Sequence, residues 1–285
     1  MASAKEIRGQ IKAVQNTAKI TKAMEMVAAS KMRKAQQRVM DARSYAEGIR
    51  QVITNLMQAH PEYQHSFFTP RETVKRVGIV LVSTDKGLCG GLNTNAMRLA
   101  VRSIKAQSAE VEVVNIGRRG GASMRRFGVK VAGSVEDISD TPDLGDILGA
   151  ADLAIDRFAD GTYDEVHLIY SEFVNTMTQK PSMIQLLPCP VSEEPSHPGY
   201  WDYLYEPESH TVLDGLLKRF IESLVYHGVL ENKACEQSAR MVAMKSATDN
   251  AKSMVKDLQI TYNKARQAAI TQELAEIVAG GAAAG

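Results

Sequence analysis

The sequence predicts a mixed α/β protein in which two long terminal helices pair as an antiparallel coiled coil and a central domain carries a mostly parallel sheet. Two observations predict the helices: residues 1–57 and 211–285 contain no proline, and both place apolar residues at helical spacing. A third observation predicts the sheet, because residues 73–195 alternate apolar, β-branched runs with helical stretches. We assign residues 58–72 and 196–210 as linkers.

The N-terminal helix carries a coiled-coil seam. Steps of four and three residues meet fifteen positions, of which thirteen are apolar and five are alanine. The seven-residue period predicts a left-handed supercoil, and the small alanine side chains predict a close approach of the partner helix. The positions are Ile7, Ile11, Val14, Ala18, Thr21, Glu25, Ala28, Met32, Ala35, Val39, Ala42, Ala46, Ile49, Ile53 and Leu56.

The C-terminal helix supplies the partner seam. Because a compact domain separates the two helices in the chain, we expect them to run antiparallel, and the longer second helix should extend beyond the pair. Its end, AAITQELAEIVAGG, is apolar on every face, which predicts apolar surroundings. Gly280 and Gly281 are expected to end the helix. The seam positions are Leu230, Ala234, Gln237, Met241, Met244, Thr248, Ala251, Val255, Leu258, Tyr262, Ala265 and Ala269.

The central residues predict a Rossmann-like domain. Nearly continuous apolar runs are typical of buried parallel strands, and their alternation with helices indicates βαβ units. A further apolar segment, SMIQLLPCPV, predicts an edge strand. The predicted strands lie at 76–84, 111–117 and 165–174, and the predicted helices lie near 94–107, 118–127 and 143–159.

Charge is distributed unevenly along a chain whose formal net charge is +1. Residues 1–57 hold eleven lysines and arginines against four acids, whereas residues 58–210 carry a net charge of −7. A basic arm favours an acidic partner surface or nucleic acid, although a solvated helix face has the same composition.

Composition argues against several classes of protein. No run of eighteen apolar residues predicts a membrane span, and the first residues lack the apolar segment of a secretory signal. The cysteines Cys89, Cys189 and Cys235 are far apart and odd in number, so we expect neither a disulfide framework nor a zinc site, and a reducing, cytosolic setting. The six histidines show no metal-binding spacing.

The segment STDKGLCGGLN, residues 83–93, follows the first predicted strand, where phosphate-binding loops occur in α/β enzymes. Its G-x-x-G-G spacing matches neither G-x-G-x-x-G nor G-x-x-x-x-G-K-[ST]. We therefore expect the glycines to form tight turns, with Lys86 and Cys89 exposed on a rigid loop that suits a protein contact. A nucleotide-binding enzyme and a basic coiled-coil nucleic-acid-binding protein are the alternative functions, although the basic arm lacks interleaved aromatic residues.

Five stretches along the chain carry a resemblance to a known family. They are AKEIRGQIKAVQNTAKITKAMEMVAASKMRKAQ, STDKGLCGGLN, WDYLYEP, ARMVAMKSATDNA and YNKARQAAITQELAEIVAG. Their order and content resemble the γ subunits of bacterial F-type ATP synthases. The resemblance implies a central rotor shaft that couples rotation of the membrane ring of c subunits to ATP synthesis or hydrolysis in the ring of α and β subunits. It also implies that the ε subunit is a partner.

The resemblance implies contact roles for individual residues. The residues that match contacts with the β subunits are Met24, Lys86, Cys89 and Arg240. A second group of such residues, near the C-terminal end of the chain, is Arg266, Gln267 and Thr271. Tyr203 and Tyr205 match the region that faces the c ring.

The resemblance further implies no catalytic site, cofactor, metal, nucleic-acid partner or small-molecule substrate in this chain. It implies a peripheral location on the cytoplasmic face of the bacterial inner membrane.

Overall fold

The computed structural model describes residues 4–59, 65–190 and 209–283 of the chain. The helices are α1 (Ala4–Ala59), α2 (Leu92–Ala106), α3 (Arg118–Arg126), α4 (Leu148–Ala159) and α5 (Ser209–Ala283), with a 3-10 turn at Leu144–Asp146. The strands are β1 (Arg76–Val82), β2 (Glu110–Ile116), β3 (Lys130–Val135), β4 (Glu165–Phe173) and β5 (Gln179–Leu187).

The chain forms two compact units. The first, which we name the coil unit, consists of residues 1–28 and 241–285, and the second, the sheet unit, consists of residues 29–240. The sheet unit therefore contains parts of both long helices in addition to the predicted central domain. Within the described ranges, no helix combines the length and the apolar character needed to cross a bilayer.

The sheet has the order β3-β2-β1-β4-β5, with β5 antiparallel to β4 and all other neighbours parallel. The four predicted strands are confirmed, and the predicted edge strand is β5. Strand β3 was missed, because its sequence KVAGSV is only half-buried and carries small and polar residues in place of a continuous apolar run.

Helices cover both faces of the sheet, which explains why its strands are apolar on both sides. On one face, Val80 and Leu168 pack in a core with residues of α4 and α5 and with Ile49 and Ile53 near the C-terminal end of α1. On the other face, Ile79 and Ile169 pack against α2 and Met124 of α3. Neighbouring residues of one strand thus belong to opposite cores.

Helix α5 lies very close to β4. A Cβ atom placed on Gly228 would lie 2.9 Å from Cδ2 of Leu168 and 3.4 Å from Cγ of Tyr170. All residues from Gly228 to Ala239 are buried. A helix buried on every side needs partners all round, and here the sheet supplies one of them.

In the coil unit, the seam positions of α1 are the least exposed. Ile7, Thr21 and Ala28 are buried, whereas the neighbouring residues Ile20 and Val27 are 61% and 54% exposed. Thr21 interrupts the apolar pattern, and its hydroxyl oxygen lies 2.7 Å from that of Thr248 on α5. The two seams therefore meet, and each threonine finds its polar partner in the other.

Burial along α5 supports the predicted antiparallel pairing. If Thr21 faces Thr248 in an antiparallel pair, the first residue of α1, Ala4, lies opposite Ala265. The seam positions of α5 are buried or half-buried as far as Ala265, and the next predicted one, Ala269, is exposed. The predicted extension of α5 beyond α1 is thereby confirmed.

The C-terminal end of α5 differs from the prediction in one respect. The helix continues through Gly280 and Gly281 to Ala283, so the expectation that these glycines end it is wrong. A glycine lowers helix propensity by about 1 kcal/mol, and the alanines that follow favour continuation. The apolar residues Leu274, Ile277 and Val278 are 58%, 71% and 71% exposed.

Candidate partner-binding site

The candidate site is built around the glycine loop, residues 83–91, which connects β1 to α2. Strand order reverses at β1, since β2 lies on one side of it and β4 on the other. In an open α/β sheet, ligands bind at this point, outside the carboxyl ends of the strands. The glycine loop therefore lies where a nucleotide would bind in an enzyme of this fold.

Helix α5 fills this position. Cys89 and Leu92 pack in one buried cluster with Cys235 and Ala239 of α5 and with Phe173 at the end of β4. The Cys235 thiol lies 3.3 Å from the carbonyl oxygen of Ser171, to which it donates. The crevice is thus occupied by a helix of the same chain.

The expectation that Cys89 is exposed is wrong, because its side chain is only 2% exposed. Burial raises the pKa of the Cys89 thiol above its ordinary value. A left-handed residue, Leu88 (φ 64°), turns the chain so that Leu88 points outward and Cys89 inward. Leu88 is 62% exposed.

A carboxylate of the chain occupies the N-terminus of α3, the other place where a phosphate could bind. Asp85 of the glycine loop accepts hydrogen bonds from the backbone N–H groups of Arg118 (3.0 Å), Asp137 (3.1 Å) and Ile138 (3.0 Å). Its negative charge lies at the positive end of the helix dipole. The same three bonds join the glycine loop to the segment that follows β3.

The predicted tight turn of the glycine loop passes through Gly90, whose φ is 57°, and glycines also shape the turn after β2. Gly117 has φ 93°, and a Cβ atom on it would lie 2.2 Å from the carbonyl oxygen of Ser83. A Cβ atom on Gly120 would lie 2.3 Å from Oδ1 of Asn115. These glycines allow the β1 and β2 turns to touch, and so they serve the packing of the chain.

Lys86 and Arg240 come together at the glycine loop but differ in their environment. Lys86 is exposed. The Arg240 side chain is 12% exposed, and its guanidinium donates to the Gly87 carbonyl oxygen at 3.1 Å and to Glu236 at 2.7 Å. Arg240 therefore binds the glycine loop to α5, whereas Lys86 lies at the surface.

The segment after β3, which we name the 136–143 loop, lies beside the same part of α5. Its Asp140 pairs with Lys31 of α1 at 2.6 Å and accepts a hydrogen bond from Gln237 at 3.3 Å. The hydrogen bond from Lys31 lowers the pKa of Asp140 below its ordinary value. Tyr226 donates to the carbonyl oxygen of Pro142 at 3.0 Å. Residues of both long helices thus hold this loop.

The remaining predicted residues lie elsewhere. Met24 is half-buried in the coil unit, and Arg266, Gln267 and Thr271 are exposed on α5 in that unit. The Thr271 hydroxyl donates to the Gln267 carbonyl oxygen at 2.9 Å, an ordinary contact within a helix. Tyr203 and Tyr205 lie outside the described residues.

Sequence reasoning missed Asp85, Asp140 and Glu236. Asp85 follows a strand and precedes the glycines, a position that suggests capping of the next helix, α2, whereas its partners lie at the N-terminus of α3 and in the segment after β3. No local signal marks Asp140 or Glu236, because their partners are distant in sequence. In the described part of the chain, no group of three or more His, Cys, Asp or Glu residues is placed to hold a metal ion.

Comparisons with known proteins find matches along almost the whole chain. A family described as ATP synthase matches residues 3–284. The ATP synthase gamma chain of Legionella pneumophila (strain Corby) is 52% identical over 288 residues, which cover 99% of this chain and 100% of the relative. That of Nitrosococcus oceani is 54% identical over 291 residues, again covering 99% and 100%.

Solved structures share the fold. The central stalk and c-ring structure of Tetrahymena thermophila mitochondrial ATP synthase contains a chain that matches with a TM-score of 0.62 and 26% identity, over 80% of this chain and 99% of that one. A chain of the Euglena gracilis mitochondrial ATP synthase rotor matches with a TM-score of 0.68 and 19% identity, over 94% and 98%. With a family match along almost its whole length and full-length relatives above half identity, this chain belongs to the ATP synthase gamma chain family.

Proposed function

We propose that this chain is the central rotor shaft of a bacterial F-type ATP synthase. It couples rotation of the c ring to ATP synthesis or hydrolysis in the ring of α and β subunits, and it has no catalytic site of its own. The observation that carries this proposal is the pair of long helices. Their seam is narrow, and α5 extends beyond it with exposed apolar side chains at Ile270, Leu274 and Ile277.

The exposed end of α5 suits an apolar sleeve formed by other subunits. An apolar helix end in water is an unfavourable surface, and it is covered when partners surround it. Arg266, Gln267 and Thr271 lie next to this end and are exposed, which fits the contact with the β subunits that the family resemblance implies.

Near the glycine loop, we propose that Lys86 makes the direct contact with acidic loops of the β subunits. Arg240 contributes by holding the loop from inside, because its side chain is engaged with Gly87 and Glu236. Cys89 packs behind the contact surface. Met24 contributes through its exposed part, and Tyr203 and Tyr205 are assigned to the surface facing the c ring.

We also propose that the assembled complex places this chain on the cytoplasmic face of the inner membrane, next to the ε subunit and the c ring. The reducing environment there suits three free, buried cysteines.

The test is co-expression with bacterial α and β subunits. ATP hydrolysis is expected only when this chain is included, and the chain should turn during hydrolysis. Because Cys89, Cys189 and Cys235 are buried, a single new cysteine on the surface of α2, Lys105→Cys, can carry a rotation probe without competing labels. Hydrolysis of equal rate without this chain, or hydrolysis with a stationary probe, would contradict the proposal.

A further inference from the structure

The most buried part of α5 contains charged side chains. Between Gly228 and Ala239, the side chains of Lys233 and Glu236 are 9% and 4% exposed, and Arg240 follows with 12%. Buried charges are costly unless each has a partner of opposite charge and satisfied hydrogen bonds. The contacts that offset the unfavourable burial of these three charges therefore indicate what the charges do.

Glu236 lies between the two cations. Its Oε1 accepts a hydrogen bond from Arg240 at 2.7 Å, and its Oε2 lies 3.6 Å from the ammonium nitrogen of Lys233. Spacings of three and four residues along a helix bring side chains together on one face. A single carboxylate thus contacts both cations, and its negative charge offsets one of their two positive charges.

Each cation then holds a different loop by a backbone carbonyl. Arg240 donates to Gly87 of the glycine loop at 3.1 Å, and Lys233 donates to Ile138 of the 136–143 loop at 3.0 Å. The N–H of the same Ile138 donates to Asp85 at 3.0 Å. Asp85 lies two residues from Gly87 in the chain, so these hydrogen bonds, the Lys233–Glu236 ion pair at 3.6 Å and the covalent chain together close a ring.

The ring passes through α5, the 136–143 loop and the glycine loop, and then returns to α5. Its members are Glu236, Lys233, Ile138, Asp85, Gly87 and Arg240. A closed ring resists relative movement better than separate contacts, because a loop that shifts must break at least two bonds. Charge-assisted hydrogen bonds in a buried place are also stronger than exposed ones.

We propose that Glu236 is a positioning residue that fixes both loops to α5, so that the surface bearing Lys86 turns together with the helix. The joint rotation of this surface and α5 in the assembled complex rests on the proposed function, whereas the ring of contacts does not. Glu236 acts through Lys233 and Arg240 and touches no other subunit. Without its charge, the two cations lose their common partner, and the loops can move relative to α5.

The test compares Glu236→Gln with Glu222→Gln in the full-length chain. Glu222 is an equally buried carboxylate on α5, with a side chain 4% exposed, and it pairs with Arg219 at 2.8 Å three residues away. Its substitution removes the same charge without touching either loop. Hydrogen exchange of the backbone amides of Arg118, Asp137 and Ile138, all bonded to Asp85, reports on the ring.

We expect Glu236→Gln to speed exchange at these amides by at least about tenfold, and Glu222→Gln to leave it within about twofold of the parent. In the reconstituted membrane complex, protons pumped per ATP hydrolysed should fall roughly twofold or more with Glu236→Gln alone. Unchanged exchange at the three amides overturns the ring. Faster exchange with undiminished proton pumping overturns the role in coupling.

Arg240→Lys provides a second variant if Glu236→Gln fails to fold. Lysine keeps the charge but lacks the branched guanidinium that contacts Gly87, Glu236 and Gln237 together, so exchange should again rise at the three amides. The exchange experiment needs no other subunit. A parent chain that supports no ATP hydrolysis with α and β subunits would therefore refute the proposed function while leaving the ring open to its own test.

Discussion

Two parts of the same helix, α5, are buried in different ways. From Gly228 to Ala239 every residue is buried, whereas between Met244 and Ala265 burial follows a single seam. The first part belongs to the sheet unit and packs against β4, the glycine loop and the 136–143 loop. The second part belongs to the coil unit, in which α1 supplies the facing seam.

The two parts of α5 show that the extent of burial determines whether a polar side chain needs a partner within the protein. Between Gly228 and Ala239 the polar residues of α5 are buried, so Glu231, Lys233 and Glu236 each need a partner within the chain. Glu231, for example, accepts a hydrogen bond from the backbone N–H of Phe173 at 2.5 Å. In the described part of the coil unit, the buried polar residues are Thr21 and Thr248, and their hydroxyl groups satisfy each other.

The largest expected effect comes from opening a cavity in the sheet unit. Ile221 of α5 is 1% exposed in the core, and Ile221→Ala should lower the free energy of unfolding by about 2–5 kcal/mol. Urea unfolding followed by fluorescence or circular dichroism measures the loss. The matched control is Ile260→Ala, since Ile260 on the same helix is 57% exposed and its loss should stay within about 0.5 kcal/mol. Similar losses of unfolding free energy in the two variants would contradict the difference in burial between Ile221 and Ile260.

The next effect tests the narrow seam by adding volume. Ala28 is 1% exposed on the seam, and Ala28→Leu should destabilise the coil unit by about 1–3 kcal/mol, because the larger side chain forces the helices apart. Ala23→Leu is the control, since Ala23 is exposed on the same helix. Both changes affect helix propensity equally, so hydrogen exchange of nearby amides separates packing from propensity. A seam that tolerates Ala28→Leu as well as the control does not have the close packing that we infer.

A smaller effect concerns the threonine pair. Thr248→Val leaves the buried Thr21 hydroxyl without its partner at 2.7 Å, although the Ala18 carbonyl oxygen is available at 3.2 Å. We expect a loss of about 1 kcal/mol. The double variant Thr21→Val with Thr248→Val should cost less than the two single losses together, because no polar group is then left unpaired. Strict additivity in amide exchange measurements would show that the two hydroxyls are independent.

The smallest effect is expected at the exposed ion pair of Lys31 and Asp140, whose side chains are 44% and 46% exposed. Lys31→Met should change stability by less than about 1 kcal/mol, and salt should diminish the change. Because the folded-state pKa of Asp140 is lowered, the pair stabilises the fold above the unfolded-state pKa and ceases to do so as the pH falls through the folded-state pKa.

Carboxyl NMR of Asp140 provides the direct measurement for this pair. Its pKa should rise in Lys31→Met toward the ordinary value of 3.8. Lys34→Met, a change of an exposed lysine on the same helix, is the control and should leave that pKa nearly unchanged. An equal rise in both variants would assign the lowered pKa to the general basic charge of α1.

Local sequence patterns correctly predict the long helices, most strands of the sheet and the coiled-coil seam. A seven-residue period needs only the local geometry of a helix, so it correctly identified Ile7, Thr21 and Ala28 as facing the partner. Runs of apolar residues marked β1, β2 and β4 for the same reason, since a strand buried on both faces has no polar side. The contact roles of Met24, Lys86 and Arg266 remain predictions of the family resemblance.

Burial of the polar and small residues depends on contacts between segments that are distant in sequence. Strand β3 forms because β2 offers it a free edge, and Cys89 turns inward because Cys235 and Ala239 of α5 cover it. The ring around Glu236 joins residues far apart in sequence, with Gly87 and Arg240 separated by 153 positions. Local periodicity tells which side of a helix is apolar, but the number of partners around that helix depends on how the whole chain folds.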